Sequence, residues 1–262
     1  HAVGFGPDCG VGDDSYVEFK GPEPNTFRGS LAIGGGFTGP GGPAHTRVFL
    51  DKPDGVAVVN DRLVIERDGD VVFQSSEQIG DNAEVEVQSG GALQLRNFFE
   101  TIGTLTLVDN NQLRDSRPPL VDTGLRLLTL NGGLTCLRNS TNFNDVPTIR
   151  GVLNLTGFLP FHIDGTPITG LELEAQITGP GGFVKTGNGT LRLHGANTFT
   201  DEVVVSDGVV GARHNLALGT SAGGVSLAGG GLLLRDVAIG NEALLVADSS
   251  SSLVAFGTCT WS

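Results

Sequence analysis

The chain has 262 residues and a formal net charge of −13, from 16 Lys and Arg against 29 Asp and Glu, and its only lysines are Lys20, Lys52 and Lys185. That balance argues against nucleic acid and against an anionic membrane surface, because both are held by neutralising phosphates with lysine and arginine. Apolar residues make up 39% and the 41 glycines show no Gly-X-Y period, which excludes both collagen and disorder and leaves a chain able to bury a core.

Short period-2 alternations closed by Gly, Asn, Asp or Ser predict strands along most of the chain. In order they include "VEFKGPEPNTFRGSLAIGGG" (17–36), "AEVEVQ" (83–88), "ALQLRN" (92–97), "GTLTLV" (103–108), "LRLLTL" (125–130), "GVLNL" (151–155), "LELEAQI" (171–177), "GTLRLHG" (189–195), "EVVVSDG" (202–208) and "GGVSLAGGGLLLR" (223–235). Three stretches break this rhythm and read as loops on the scaffold: 38–55, 110–124 with its paired prolines, and 139–170. No amphipathic helix longer than about two turns is visible, and no run of 18 apolar residues predicts a membrane-spanning helix. With no methionine and no signal peptide, the chain reads as a mature product or an excised piece of a longer protein.

Internal repetition points to a solenoid. Residues 17–36 lie on 191–208 with one two-residue insertion, Gly21 on Gly195 and Asn25-Thr26-Phe27 on Asn197-Thr198-Phe199. Residues 79–97 follow 218–236, with Gly80 on Gly219, and Leu93 and Leu95 on Leu232 and Leu234. In such a fold, inward side chains stack on their equivalents one coil away, while glycines and corner Asn, Thr and Ser serve the turns. The stretch "GGFVKTGNGTLRLHGANTFTDEVVVSDGVV" with "NLALGTSAGGVSLAGGGLLL" closely resembles the autotransporter-associated β-strand repeat of bacterial passenger domains, over about 181–236, with a degraded copy at 16–97. The pair Asp201-Glu202 departs from that repeat, and 98–170 matches it poorly. The resemblance implies a right-handed parallel β-helix; at roughly 20–30 residues per coil, 262 residues make about ten coils in one domain. A β-sandwich or propeller is the alternative.

Chemistry is sparse. Parallel β-helices include pectinases and lyases, but the polygalacturonase-like segments survive here only as Asn25-Thr26-Phe27, Asp13-Asp14 and His194-Gly195, and "RDSRPPL" (114–120) lacks a lyase arginine pattern. Asp13-Asp14 reads as a turn rather than as a glycosidase acid/base pair. His1 invites comparison with N-terminal copper sites, and His45, His162, His194 and His214 lack metal-ligand spacing, so no metal or other cofactor is expected. "RDGD" (67–70) stands alone and makes no calcium repeat. Cys9, Cys136 and Cys259 lie more than 120 residues apart, permit at most one disulfide, and read as small core residues.

Binding is the remaining expectation, since sugar recognition uses aromatic faces beside amides and carboxylates. Phe98, Phe99, Phe143 and Phe161 stand outside strict alternation beside Asn97, Asn142, Asn144, Asp145, His162 and Asp164. These ten residues form the expected ligand face, with Phe158 nearby. The expected function is a non-catalytic carbohydrate-binding module for an extended neutral polysaccharide such as xylan, because net acidity repels a polyuronate. The module would be extracellular, bacterial, and linked in its parent protein to catalytic or other modules, with no nucleic-acid partner. This rests on likeness to β-helical xylan-binding modules at the level of fold alone. The alternatives are a passenger or adhesin stalk, which needs a translocator barrel elsewhere, and a β-helical lyase or hydrolase.

Overall fold

The structure, a computed structural model, describes residues 3–5, 15–26, 28–34, 38–39, 42–43, 46–110, 117–140, 145–165 and 170–262. The chain alternates between two long sheets, one of eleven strands and one of thirteen, and returns each time one level further along the axis. Every pairing in these two sheets is parallel, and the described residues contain no helix. The fold is the expected right-handed parallel β-helix.

Period-2 alternation builds the core directly. In the first sheet one inward column runs Leu63, Val85, Leu105, Leu134, Phe161, Lys185, Val205, Leu227. In the second, Leu93, Val121, Ile149, Leu173, Leu193, Ala212 and Leu234 stack in the same way. All of these side chains are buried. Stacking of equivalent positions lets one apolar column serve every coil.

Corners are closed by polar side chains and glycine. Asn197 is buried, donates from Nδ2 to the Ala217 carbonyl (2.6 Å) and accepts at Oδ1 from the Ile177 amide (2.8 Å), so it ties together three coils. Its repeat equivalent Asn25 donates likewise to the Val58 carbonyl at 3.0 Å. Phe199 is buried behind Asn197; Phe27, its equivalent, lies outside the described residues. Gly208, at φ 63°, turns the chain between sheets where a β-carbon would run into the Gly187 and Gly189 carbonyls.

Two of the expected loops contain strands of the two sheets. Within 139–170, Thr148–Leu155 and Leu159–Asp164 are strands of the two sheets, because Ile149, Leu153, Leu155, Leu159, Phe161 and Ile163 point inward. Within 38–55, Thr46–Asp51 is a strand with Val48 and Leu50 buried. Of the stretch 110–124, residues 111–116 lie outside the described ones, and Leu120–Leu130 is one long strand. Cys136 is buried as expected and its thiol is pushed up by burial, Cys259 is a partly buried free thiol, and Cys9 lies outside the described residues.

Lys185 interrupts the apolar column. Its stem fills the level between Phe161 and Val205, and its ammonium donates to the carbonyls of Thr186 (2.8 Å), Gly187 (2.6 Å) and Asp207 (3.1 Å). Burial lowers its pKa to about 8 against a weaker pull from Asp207 and Asp164. The folded state therefore releases this proton near pH 8 and the unfolded chain near 10.5, so Lys185 costs stability below pH 8 and the cost is relieved as pH rises to 10.5. Denaturant unfolding of wild type and Lys185→Met is expected to show the wild type gaining on the variant between pH 8 and 10.5; a pH-independent difference would refute the lowered pKa.

The final coil, Leu244–Val246 and Ser252–Phe256, leaves Leu245, Val246, Leu253, Val254 and Phe256 exposed, and each strand pairs on one side only among the described residues.

Candidate functional site

The described ligand candidates do not share one face. Asn97 is a turn residue at φ 73° whose Oδ1 accepts the Leu125 amide at 2.7 Å. Phe98 packs against the core, whereas Phe99 is 41% exposed with the Arg126 guanidinium 4.9 Å from its ring centroid. This corner, with exposed Leu125, borders the second sheet. His162 and Asp164 instead point outward from the first sheet, where His162 Nε2 lies 3.1 Å from Asp164 and Nδ1 lies 3.1 Å from Thr186 Oγ1. Asp145 sits in a third place, its carbonyl accepting from Arg138 at 2.9 Å. Asn142, Phe143 and Asn144 lie outside the described residues.

Phe161 belongs to the core and not to a ligand face. Alternation through Leu159, Phe161 and Ile163 turns it inward, and its ring stacks on Phe183 with centroids 4.7 Å apart. Phe158 before that strand is exposed.

The buried charges are structural. Asp109 and Arg138 pair at 3.0 Å in adjacent coils. Glu100 accepts the amides of Gln78 (2.8 Å), Ile79 (3.2 Å) and Thr101 (3.3 Å), while burial pushes its carboxyl up to about 9. Among the described residues no group of three His, Cys, Asp or Glu is placed to hold a metal. Asp13, Asp14, His1 and His45 lie outside them. In "RDGD", Asp68 is a turn residue at φ 61°. Pro118 and Pro119 line a shallow notch of about 170 Å³.

One outward array of charge among the described residues was not anticipated from the sequence. Buried Leu193, Ala212 and Leu234 pair on successive levels of the second sheet, so the residues that follow them, His194, Arg213 and Arg235, form an outward column. Arg150 and Glu174 precede them in the same column with a 2.8 Å ion pair. Two residues earlier on each level stand Glu172, Arg192, Gly211 and Leu233. Gly211 is buried between Arg192 and Leu233, and on this face an open trough of about 400 Å³ is lined by Glu172, Arg192, His194, Arg213, Arg235 and Asp236.

Electrostatics in the trough are unequal. Burial raises the Glu172 pKa, but bonds from His194 (2.6 Å) and Arg192 (2.5 Å) outweigh it and hold the carboxyl below its ordinary value. Burial, with Arg192 and Arg235 close by, lowers the guanidinium pKa of Arg213. The sequence signal was present: "LRLHG", "GARHN" and "LLLRD" each place a base directly after a buried position.

Comparison with known proteins identifies first a class of repeat. Residues 183–211 match the model of the passenger-associated-transport-repeat family. That segment opens on the strand Phe183–Thr186, includes Thr190–Leu193 and Val203–Val205, and ends within Val209–Ala212, so it holds one complete coil and the start of the next. More particularly, 58 residues are 38% identical to part of the adhesin BmaC autotransporter of Brucella suis biovar 1 (strain 1330), a match covering 22% of this chain and 2% of that protein. No solved structure matches.

Proposed function

We propose that the chain is a β-solenoid segment of the passenger region of a bacterial secreted or cell-surface protein, with a non-enzymatic role in extending and displaying surface groups. The observation that carries this reading is that the matched repeat opens on a coil's first strand and spans that whole coil and the start of the next, in a fold built from such coils. A stack of about ten coils suits that role, because each coil contacts only its neighbours and length is added without redesigning the core. Similarity to an adhesin autotransporter supports the same reading over the 58 matched residues. Placed between a secretion signal and an autotransporter translocator barrel, the chain is expected to appear on the cell surface folded and resistant to external protease. Retention inside the cell, with a known passenger exported in parallel, would defeat the proposal.

A glycan-binding role is the second reading, favoured by one corner: Phe99 and Leu125 are exposed around Arg126, an aromatic face with a cation lying over it. On this reading the partner is a polysaccharide, and linked modules in the parent protein act on it. Native affinity electrophoresis on xylan is expected to retard the chain, with Phe99→Ala relieving the retardation; equal mobility of both proteins with and without xylan removes this reading.

A further inference from the structure

The charges in the trough on the second sheet are not balanced. Glu172 is fully engaged by Arg192 and His194, and Asp236 Oδ1 accepts the Thr258 amide at 3.2 Å. Among the described residues, neither carboxylate nor any other lies within 4.0 Å of the guanidinium of Arg213 or Arg235. The Nε of Arg213 is buried and has no hydrogen-bond partner. Arg213 and Arg235 occupy successive levels of one column, with backbones about 4.8 Å apart. Like charges facing each other across paired strands repel, and a buried donor without an acceptor is costly. One oxyanion between the two forks relieves both, because each guanidinium presents parallel N–H groups that match two oxygens of a carboxylate or sulfate.

We propose that Arg213 and Arg235, flanked by Arg192 and His194, form a binding site for a carboxylate or sulfate oxyanion of the kind borne by an acidic polysaccharide. The column runs along the solenoid axis and the trough is open, so an extended polymer has room to present an acidic group to it. Arg213 and Arg235 both line that open trough, so a group entering it meets both guanidinium groups. The site goes beyond the passenger reading and stands independently of it. It also revises what net charge implied: at about 0.1 M salt, charges more than roughly 10 Å away are largely screened, so the local cations and not the overall −13 govern what approaches the trough.

The test is affinity electrophoresis and calorimetric titration of the whole chain in 0.1 M salt against dextran sulfate, polygalacturonate, neutral xylan and inorganic sulfate. Acidic polymers are expected to bind, with neutral xylan not competing, and the double variant Arg213→Gln, Arg235→Gln is expected to weaken binding by about tenfold or more. Arg150→Gln, on the same face but paired with Glu174, is the control and leaves affinity unchanged. Binding of inorganic sulfate alone, lost in the double variant, upholds the site and names a small anion as its ligand. If the double variant fails to fold, Arg235→Gln alone makes the comparison, since that side chain is exposed. Absence of binding to every acidic probe, or undiminished binding by the folded variant, overturns the proposal.

Discussion

Replacing Asp109 by alanine is expected to lower the unfolding free energy by about 3–5 kcal/mol, the range found when one partner of a buried ion pair is removed. Asp109 and Arg138 are each 1% exposed, on directly paired residues of adjacent coils, with Arg138 Nε donating to Asp109 Oδ2 at 3.0 Å. Ser89 Oγ donates to the other carboxylate oxygen at 3.0 Å, and Arg138 also donates to the Asp145 carbonyl. Deleting the carboxylate leaves a guanidinium out of water and leaves the Ser89 hydroxyl only the longer contact to the Val108 carbonyl at 3.4 Å, so the loss exceeds that of a surface pair, typically under about 1 kcal/mol. Replacing both partners by apolar residues of similar volume is expected to recover much of the loss, because no charge then remains buried. Urea unfolding of Asp109→Ala and of the variant with both partners apolar measures this. A loss below about 1 kcal/mol for Asp109→Ala would show that water reaches the pair.

The second large effect belongs to Phe183. Its ring stacks on Phe161 at 4.7 Å and an interplanar angle of 11°, and meets Phe199 at 5.9 Å, so three fully buried aromatic side chains pack together in the core. Phe183→Ala is expected to cost about 3–5 kcal/mol through lost burial and an incompletely collapsed cavity. Phe183→Leu should cost distinctly less. Phe99→Ala, at a site 41% exposed, should stay within about 0.5 kcal/mol apart from the small stacking contribution of Arg126. Thermal and urea melts of these variants separate core phenylalanines from surface ones. Equal, small effects at Phe183 and Phe99 would contradict the aromatic stack.

Much of the core was legible in short stretches. In "LRLHG", alternation alone puts Leu191 and Leu193 inside and Arg192 and His194 outside, as the structure has them. The alignment of Asn25 with Asn197 found two corner asparagines that donate across coils in the same way. The stretch 139–170 was harder, because Pro160 and the polar residues around it hid a regular inward set of Leu159, Phe161 and Ile163. Phe161 was consequently expected on a ligand face when it supports Phe183. Lys185 gave no hint that it would be buried, because only neighbouring turns supply the carbonyls that accept from its ammonium.

Inward and outward alternation and turn glycines are local properties, written within five or six residues, so the amino-acid order alone was enough to specify a β-solenoid and most of its core. Which outward side chains meet is a different matter, because it depends on the number of residues each coil consumes. Leu193 to Ala212 spans 19 residues and Ala212 to Leu234 spans 22, an irregularity absorbed in the turns. Only after those turns close do His194, Arg213 and Arg235 fall into one column, and only then does a chain of net charge −13 acquire a cationic trough. The same holds for Asp109 and Arg138, 29 residues apart and joined because one coil brings their strands into register.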